Sequence, residues 1–113
     1  MKIVDTSISM AELRAMAEDR FGDLVKAVVD IRLRNMAVDA DLHSDEEALL
    51  LEHGSKQTDL WGVNLYPDLP ADEWIEFDSM INIRPSQGNR SRGVDDPEVR
   101  RRIRDIVDSL VLR

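Results

Sequence analysis

The chain contains no cysteine, so it has no disulfides, thiolate nucleophiles, zinc fingers or iron–sulfur clusters to draw on. Its fold must be held by buried apolar side chains and paired backbone alone. With 113 residues, 42% of them apolar, it lies near the commonest domain size and has enough Leu, Ile and Val to offset the conformational entropy of folding. The expectation is one domain over residues 1–113, with only the last few residues free to fray. Any catalysis would rest on oxygen and nitrogen groups.

The stretch Met1 to Thr6 has neither the basic region and long apolar core nor the small-residue cleavage site of a secretory signal. No apolar run approaches the length of a membrane span, so a cytoplasmic chain without a membrane partner is expected. Against 15 basic residues stand 23 acidic ones, a net charge of −8. That balance repels a phosphate backbone and argues against non-specific nucleic-acid binding. The sign reverses locally: Arg84, Arg90 and Arg92 fall within a stretch that holds no acid.

Helix and strand signals alternate along the chain. Ser9 with Glu12 forms a capping box, followed by Leu13, Met16, Ala17 and Phe21 at helical spacing and Gly22 at the end. Val25, Ala27, Val29 and Ile31 change to a period of two, and after Leu33-Arg34-Asn35 the alternation returns at Met36, Val38 and Ala40. This predicts a hairpin, with Asn35 as the residue of positive φ. Ser44 to Glu47 is a second capping box ahead of a short helix closed by His53 and Gly54, although residues 46–52 suit a strand equally well. Trp61, Val63 and Leu65 mark a third strand. Ile75, Phe77, Ser79, Ile81 and Ile83 mark a fourth, opposite an outward face that begins with Trp74 and includes Met80. Asp96, Pro97 and Glu98 start a last helix with Val99, Ile103, Ile106, Val107 and Leu110 on one stripe. The order α-β-β-α-β-β-α implies an α+β domain: a four-stranded, mostly antiparallel sheet with helices on one face.

Four stretches, Leu42-His43-Ser44-Asp45, residues 48–51 with 54–57, residues 59–67 and residues 81–91, together resemble a small prokaryotic family of uncharacterised proteins, a domain of unknown function. The likeness spans nearly the whole chain. It implies a single domain and brings no activity, catalytic residue or cofactor with it.

The richest candidate site is the loop after the fourth strand. Arg84, Arg90 and Arg92 supply guanidinium forks, Ser86, Gln87 and Asn89 supply further polar groups, and Gly88 permits close backbone approach. Planar oxyanions such as phosphate and carboxylate require such donors. The competing reading is a solvated loop whose arginines pair with the chain's own acids. Asp39, Asp41, His43 and Asp45 recur every second residue and suggest an oxygen-rich metal site, against which stands an ordinary acidic edge; the calcium-loop pattern fails at Ser44 and Leu50. His43 and His53 are the natural general bases, while Ser86 lacks the glycines of a nucleophile elbow. Trp74 with Met80 marks either a dimer or ligand surface or, more often for so large a ring, a covered one.

Three functions follow. The first is a small binding module whose loop 84–92 grips an anionic ligand or an acidic protein segment. The second is a metal-assisted hydrolase or phosphoryl-transfer enzyme built on His43 and nearby aspartates. The third is a homodimeric scaffold joined through an open sheet face. No motif implies a cofactor.

Overall fold

The computed structural model describes residues 1–113. The elements in order are β1 (Lys2–Val4), β2 (Ile8–Ser9), α1 (Met10–Arg20), β3 (Val25–Asp30), β4 (Asn35–Val38), α2 (His43–Glu52), β5 (Leu60–Leu65), β6 (Ile75–Glu76), α3 (Pro97–Leu110) and β7 (Val111–Leu112), with short 3-10 turns between. Local signals start α1 and α3 where expected, whereas α2 begins at His43 with Leu42, not Ser44, at the cap, so the capping box expected at Ser44 does not form. The Ser9 hydroxyl accepts from the Glu12 amide at 3.1 Å, Asp96 accepts from the Glu98 amide at 2.9 Å, and Pro97 occupies the first turn of α3. Glu12 does not reach back to its cap but bonds Lys2 at 2.8 Å.

The sheet has five strands rather than four, in the order β1-β4-β3-β5-β6, and every neighbouring pair is antiparallel. The additional strand is β1, which pairs with β4 along Lys2↔Val38, Ile3↔Ala37 and Val4↔Met36. A separate parallel pair joins β2 to β7, so Val111 and Leu112, expected to fray, are tied down. Residues 46–52 are helical.

Helices cover both faces of the sheet, not one. Ala27, Val29, Met36, Val38, Trp61 and Val63 pack with Leu13 and Ala17 of α1 and with Ile103, Ile106, Val107 and Leu110 of α3. On the reverse face Val28, Ala37 and Leu60 meet Leu50 of α2. The sheet face that a homodimer was expected to use is therefore occupied by α2. The sign of this was in β3 and β4, where Val28 and Ala37 interrupt the polar side of the alternation, as strands buried on both sides do. Trp74 is fully buried as well.

In the hairpin between β3 and β4, positive φ falls on Arg34 at 58° rather than on Asn35. Asp30 sets this turn: its Oδ1 accepts from the amides of Arg32 and Leu33, and its carbonyl accepts from the Arg34 amide. Asn35 is left in register opposite Asp30 as the first residue of β4.

The largest departure concerns residues 75–84. Only Ile75 and Glu76 form a strand; Met80–Asn82 is a 3-10 turn, and Ile83 is exposed. The edge of β5 beyond Leu65 and Asn64 is completed by one side chain instead. The Asn82 amide accepts from the Gly62 N–H at 2.8 Å and donates to the Gly62 carbonyl at 3.0 Å, reproducing what a neighbouring backbone would offer. Ser79 packs so closely that a Cβ on Gly62 would lie 2.5 Å from the Ser79 Cβ. Gly62→Ala is expected to cost roughly 2–4 kcal/mol, and Ser79→Gly in the same chain to recover a large part of it. A double-mutant cycle by denaturant unfolding measures this, and additive losses would exclude the contact.

Candidate functional site

A loop whose one apolar side chain is Pro85 must still satisfy its backbone, and residues 84–93 do so with their own polar groups. Arg84 lies over Trp61, its guanidinium carbon 4.3 Å from the ring centroid, and donates to the carbonyls of Gln57 and Leu60. Gln87 donates to the Thr58 carbonyl at 3.1 Å. Asn89 is buried, its amide directed at the carbonyls of Asn82, Ser91 and Gly93 and accepting from the Asp95 N–H. Arg92 pairs with Asp78 at 2.7 Å. Arg90 uses only its backbone amide, toward Asp95, and its side chain stands in solvent with Ser86. The six residues do not converge on one cavity: Arg84, Gln87 and Asn89 brace the loop, and only Arg92 reaches a cleft.

The aspartates and His43 are also separated. Asp39 and Asp41 both bond Arg20 at 2.8 Å and line an open cleft of about 430 Å³ with Asp45 and Glu52. His43 points elsewhere, its Nε2 bonding the Val63 carbonyl at 2.8 Å. No group of three or more His, Cys, Asp or Glu side chains is placed to hold a metal ion, so the ligand set required by a metal-assisted enzyme is not assembled. The sequence spacing failed here because residues 43–52 are helical, which turns His43 away from the preceding extended aspartates. His53 serves as a cap, its Nδ1 donating to the Leu49 carbonyl at 2.9 Å.

A second cleft, about 210 Å³, does gather chemistry. It forms where the apolar strip beneath α2 gives way to polar residues. Lys26 of β3 and Asn64 of β5 are register partners on the α2 side of the sheet. Leu42, His43 and Ser44 at the start of α2 form another wall, and Asp78, Ser79, Met80, Ile81 and Arg92 close the third. Leu42 occupies the cap position, where it offers no side-chain oxygen. The first-turn amides of α2 thus lack a side-chain partner, and the positive end of the helix dipole faces the cleft.

The groups around this cleft have defined states. A carbonyl only accepts, so the hydrogen of His43 sits on Nε2 and Nδ1 keeps the free lone pair. Burial, reinforced by the positive charges of Lys26 and Arg92, holds the imidazole below its ordinary pKa, and it is neutral at pH 7. Asn64 donates to Glu76 at 2.8 Å and to the Asp78 carbonyl at 3.4 Å, while its buried Oδ1 has no donor. Arg92 is neutralised by Asp78. Lys26 has no carboxylate partner, and its ammonium lies 5.3 Å from the centroid of the Phe21 ring.

Lys26, Asn64 and Asp78 escaped the sequence reading because each sits on the polar side of an alternating segment, which resembles a solvated face until α2 covers it. Glu46 escaped for a different reason. Its place in the capping-box stretch Ser44 to Glu47 suggests an exposed acid of the first turn, yet with His43 and Leu50 it makes up the buried stripe of α2. The spacing of 43, 46 and 50 already carried that signal.

No curated protein and no solved structure matches the chain. One family model does, over residues 2–110, and its extent, from β1 to the end of α3, takes in the sheet, all three helices and every wall of this cleft. The chain belongs to the family described as Protein of unknown function (DUF5674).

Proposed function

We propose that the protein is a small binding module that holds an anionic small molecule in the cleft between the start of α2 and residues 78–81. The observation that carries this reading is Lys26: an ammonium without a carboxylate partner, on the wall of a cleft that also receives the uncapped end of α2. Counting Lys26 and Arg92 as positive and Asp78 as negative, the lining side chains sum to +1 in a chain of net charge −8. A volume of about 210 Å³ accommodates a small molecule rather than a folded peptide segment.

Of the six loop residues first considered, Arg92 takes part, while Arg90 and Ser86 remain outside. Titration with acetate and inorganic phosphate at low ionic strength, followed by amide chemical shifts, tests the proposal. Shifts are expected to cluster at residues 42–44, Lys26 and Arg92. Lys26→Ala should weaken binding roughly tenfold, as loss of a charged hydrogen bond does. Shifts confined to residues 86–90, or an unchanged affinity in Lys26→Ala, would remove the cleft as the site.

A further inference from the structure

The same cleft says something about its guest beyond charge. Its donors, Lys26 and the first amides of α2, lie beside two acceptors that nothing in the chain satisfies. One is the Asn64 Oδ1, buried without a partner on a residue only 6% exposed. The other is the His43 Nδ1 lone pair, free but not sealed from solvent, on a residue 8% exposed whose tautomer the Val63 carbonyl dictates. An acceptor shut away from water is costly unless a donor reaches it. A bare anion brings acceptors alone and would leave the Asn64 Oδ1 unmet. The mouth of the cleft is apolar: Leu42 is 57% and Met80 64% exposed, with Ile81 beside them.

Resting on the anion-binding reading, we propose that the ligand is a short aliphatic monocarboxylate bearing a hydroxyl group next to the carboxylate, that is, a 2-hydroxy acid. The carboxylate faces Lys26 and the start of α2. The neighbouring O–H donates to Asn64 or His43, and the alkyl chain lies against Leu42 and Met80. Charge selects the monoanion. With a lining sum of +1, a phosphate dianion would leave one negative charge uncompensated, close to Glu76, which already bonds Asn64. Neutrality of His43 is consistent with this arrangement, since a protonated imidazole would have no lone pair to offer.

The test compares butyrate, 2-hydroxybutyrate, 2-aminobutyrate and inorganic phosphate by chemical-shift titration of the wild-type chain, which avoids any question of a variant failing to fold. 2-Hydroxybutyrate is expected to bind roughly tenfold or more tightly than butyrate, the consequence of satisfying a buried acceptor, and 2-aminobutyrate, a net-neutral zwitterion, to bind more weakly than 2-hydroxybutyrate. Asn64→Leu and, separately, His43→Leu should identify the acceptor, one of them reducing the preference to near unity while butyrate still binds. Equal affinities for butyrate and 2-hydroxybutyrate would overturn this inference and leave the anion site standing. Phosphate binding more tightly than all three carboxylates would overturn the charge argument. Failure of every probe to bind would remove the inference together with the reading beneath it.

Discussion

Asn82→Ala is expected to destabilise the chain by roughly 2–5 kcal/mol, a large share of the 5–15 kcal/mol that holds a typical domain together. The side chain is fully buried and serves three backbone groups: the Gly62 N–H, the Gly62 carbonyl and the Arg92 carbonyl. Truncation leaves a strand donor and a strand acceptor without partners in the interior, where water does not replace what was lost. Asn82→Asp separates the terms, because a carboxylate still accepts from the Gly62 N–H yet faces the Gly62 and Arg92 carbonyls with no hydrogen to give. Urea unfolding of the three chains measures the effect. A loss below about 1 kcal/mol for Asn82→Ala would show that β5 does not depend on this amide for its edge.

Stability should also fall as pH rises through neutrality, and Glu46 is the cause. Burial pushes its carboxyl up to about 9, against an ordinary value of 4.5, despite the opposing hydrogen bond from the Ala40 amide at 3.1 Å. Between those two values the folded chain holds a proton that the unfolded chain has released. The contribution of Glu46 is complete below about 4.5, declines by about 1.4 kcal/mol per pH unit for a single proton, and is exhausted above about 9. Glu46→Gln keeps the acceptor for Ala40 and carries no titrating proton. It is expected to flatten the slope and to stabilise the chain at pH 7 by on the order of 2 kcal/mol or more. Denaturant midpoints from pH 5 to 9 decide the matter; parallel curves for the two chains would show that Glu46 is not the group responsible.

What the sequence revealed and what it concealed divide along physical lines. Ser9 and the Asp96-Pro97 pair act through neighbours a few residues away, so the starts of α1 and α3 could be read directly. The same holds for Val25 to Ile31, whose alternation reflects a strand in the middle of the sheet. Residues 75–83 alternate just as clearly, but Ser79 and Asn82 engage Gly62 across the fold, and no local pattern reports a side chain that substitutes for a strand. β1 is three residues long and gains its structure only from β4.

The candidate site shows the same division. His43 and Arg92 stand out through their chemistry, but each points to a different neighbourhood: His43 to a row of aspartates of which Asp39 and Asp41 serve Arg20, and Arg92 to a loop that Arg84, Gln87 and Asn89 hold in shape. Lys26 and Asn64 did not stand out. They become partners only when β3 and β5 set their register, and they become cleft walls only when α2 lies over them.

The pairing of Ile8 with Val111 and of Ser9 with Leu112 has a bearing on biosynthesis. These contacts join segments about a hundred positions apart, while α3 supplies four residues of the main apolar cluster. A nascent chain can assemble the β3–β4 hairpin early, but it cannot close its principal core until Val111 has cleared the ribosomal tunnel. Closure of the core is thereby deferred until α3 and β7 have been made, and a nascent chain that stops short of Pro97 would remain open and protease-sensitive.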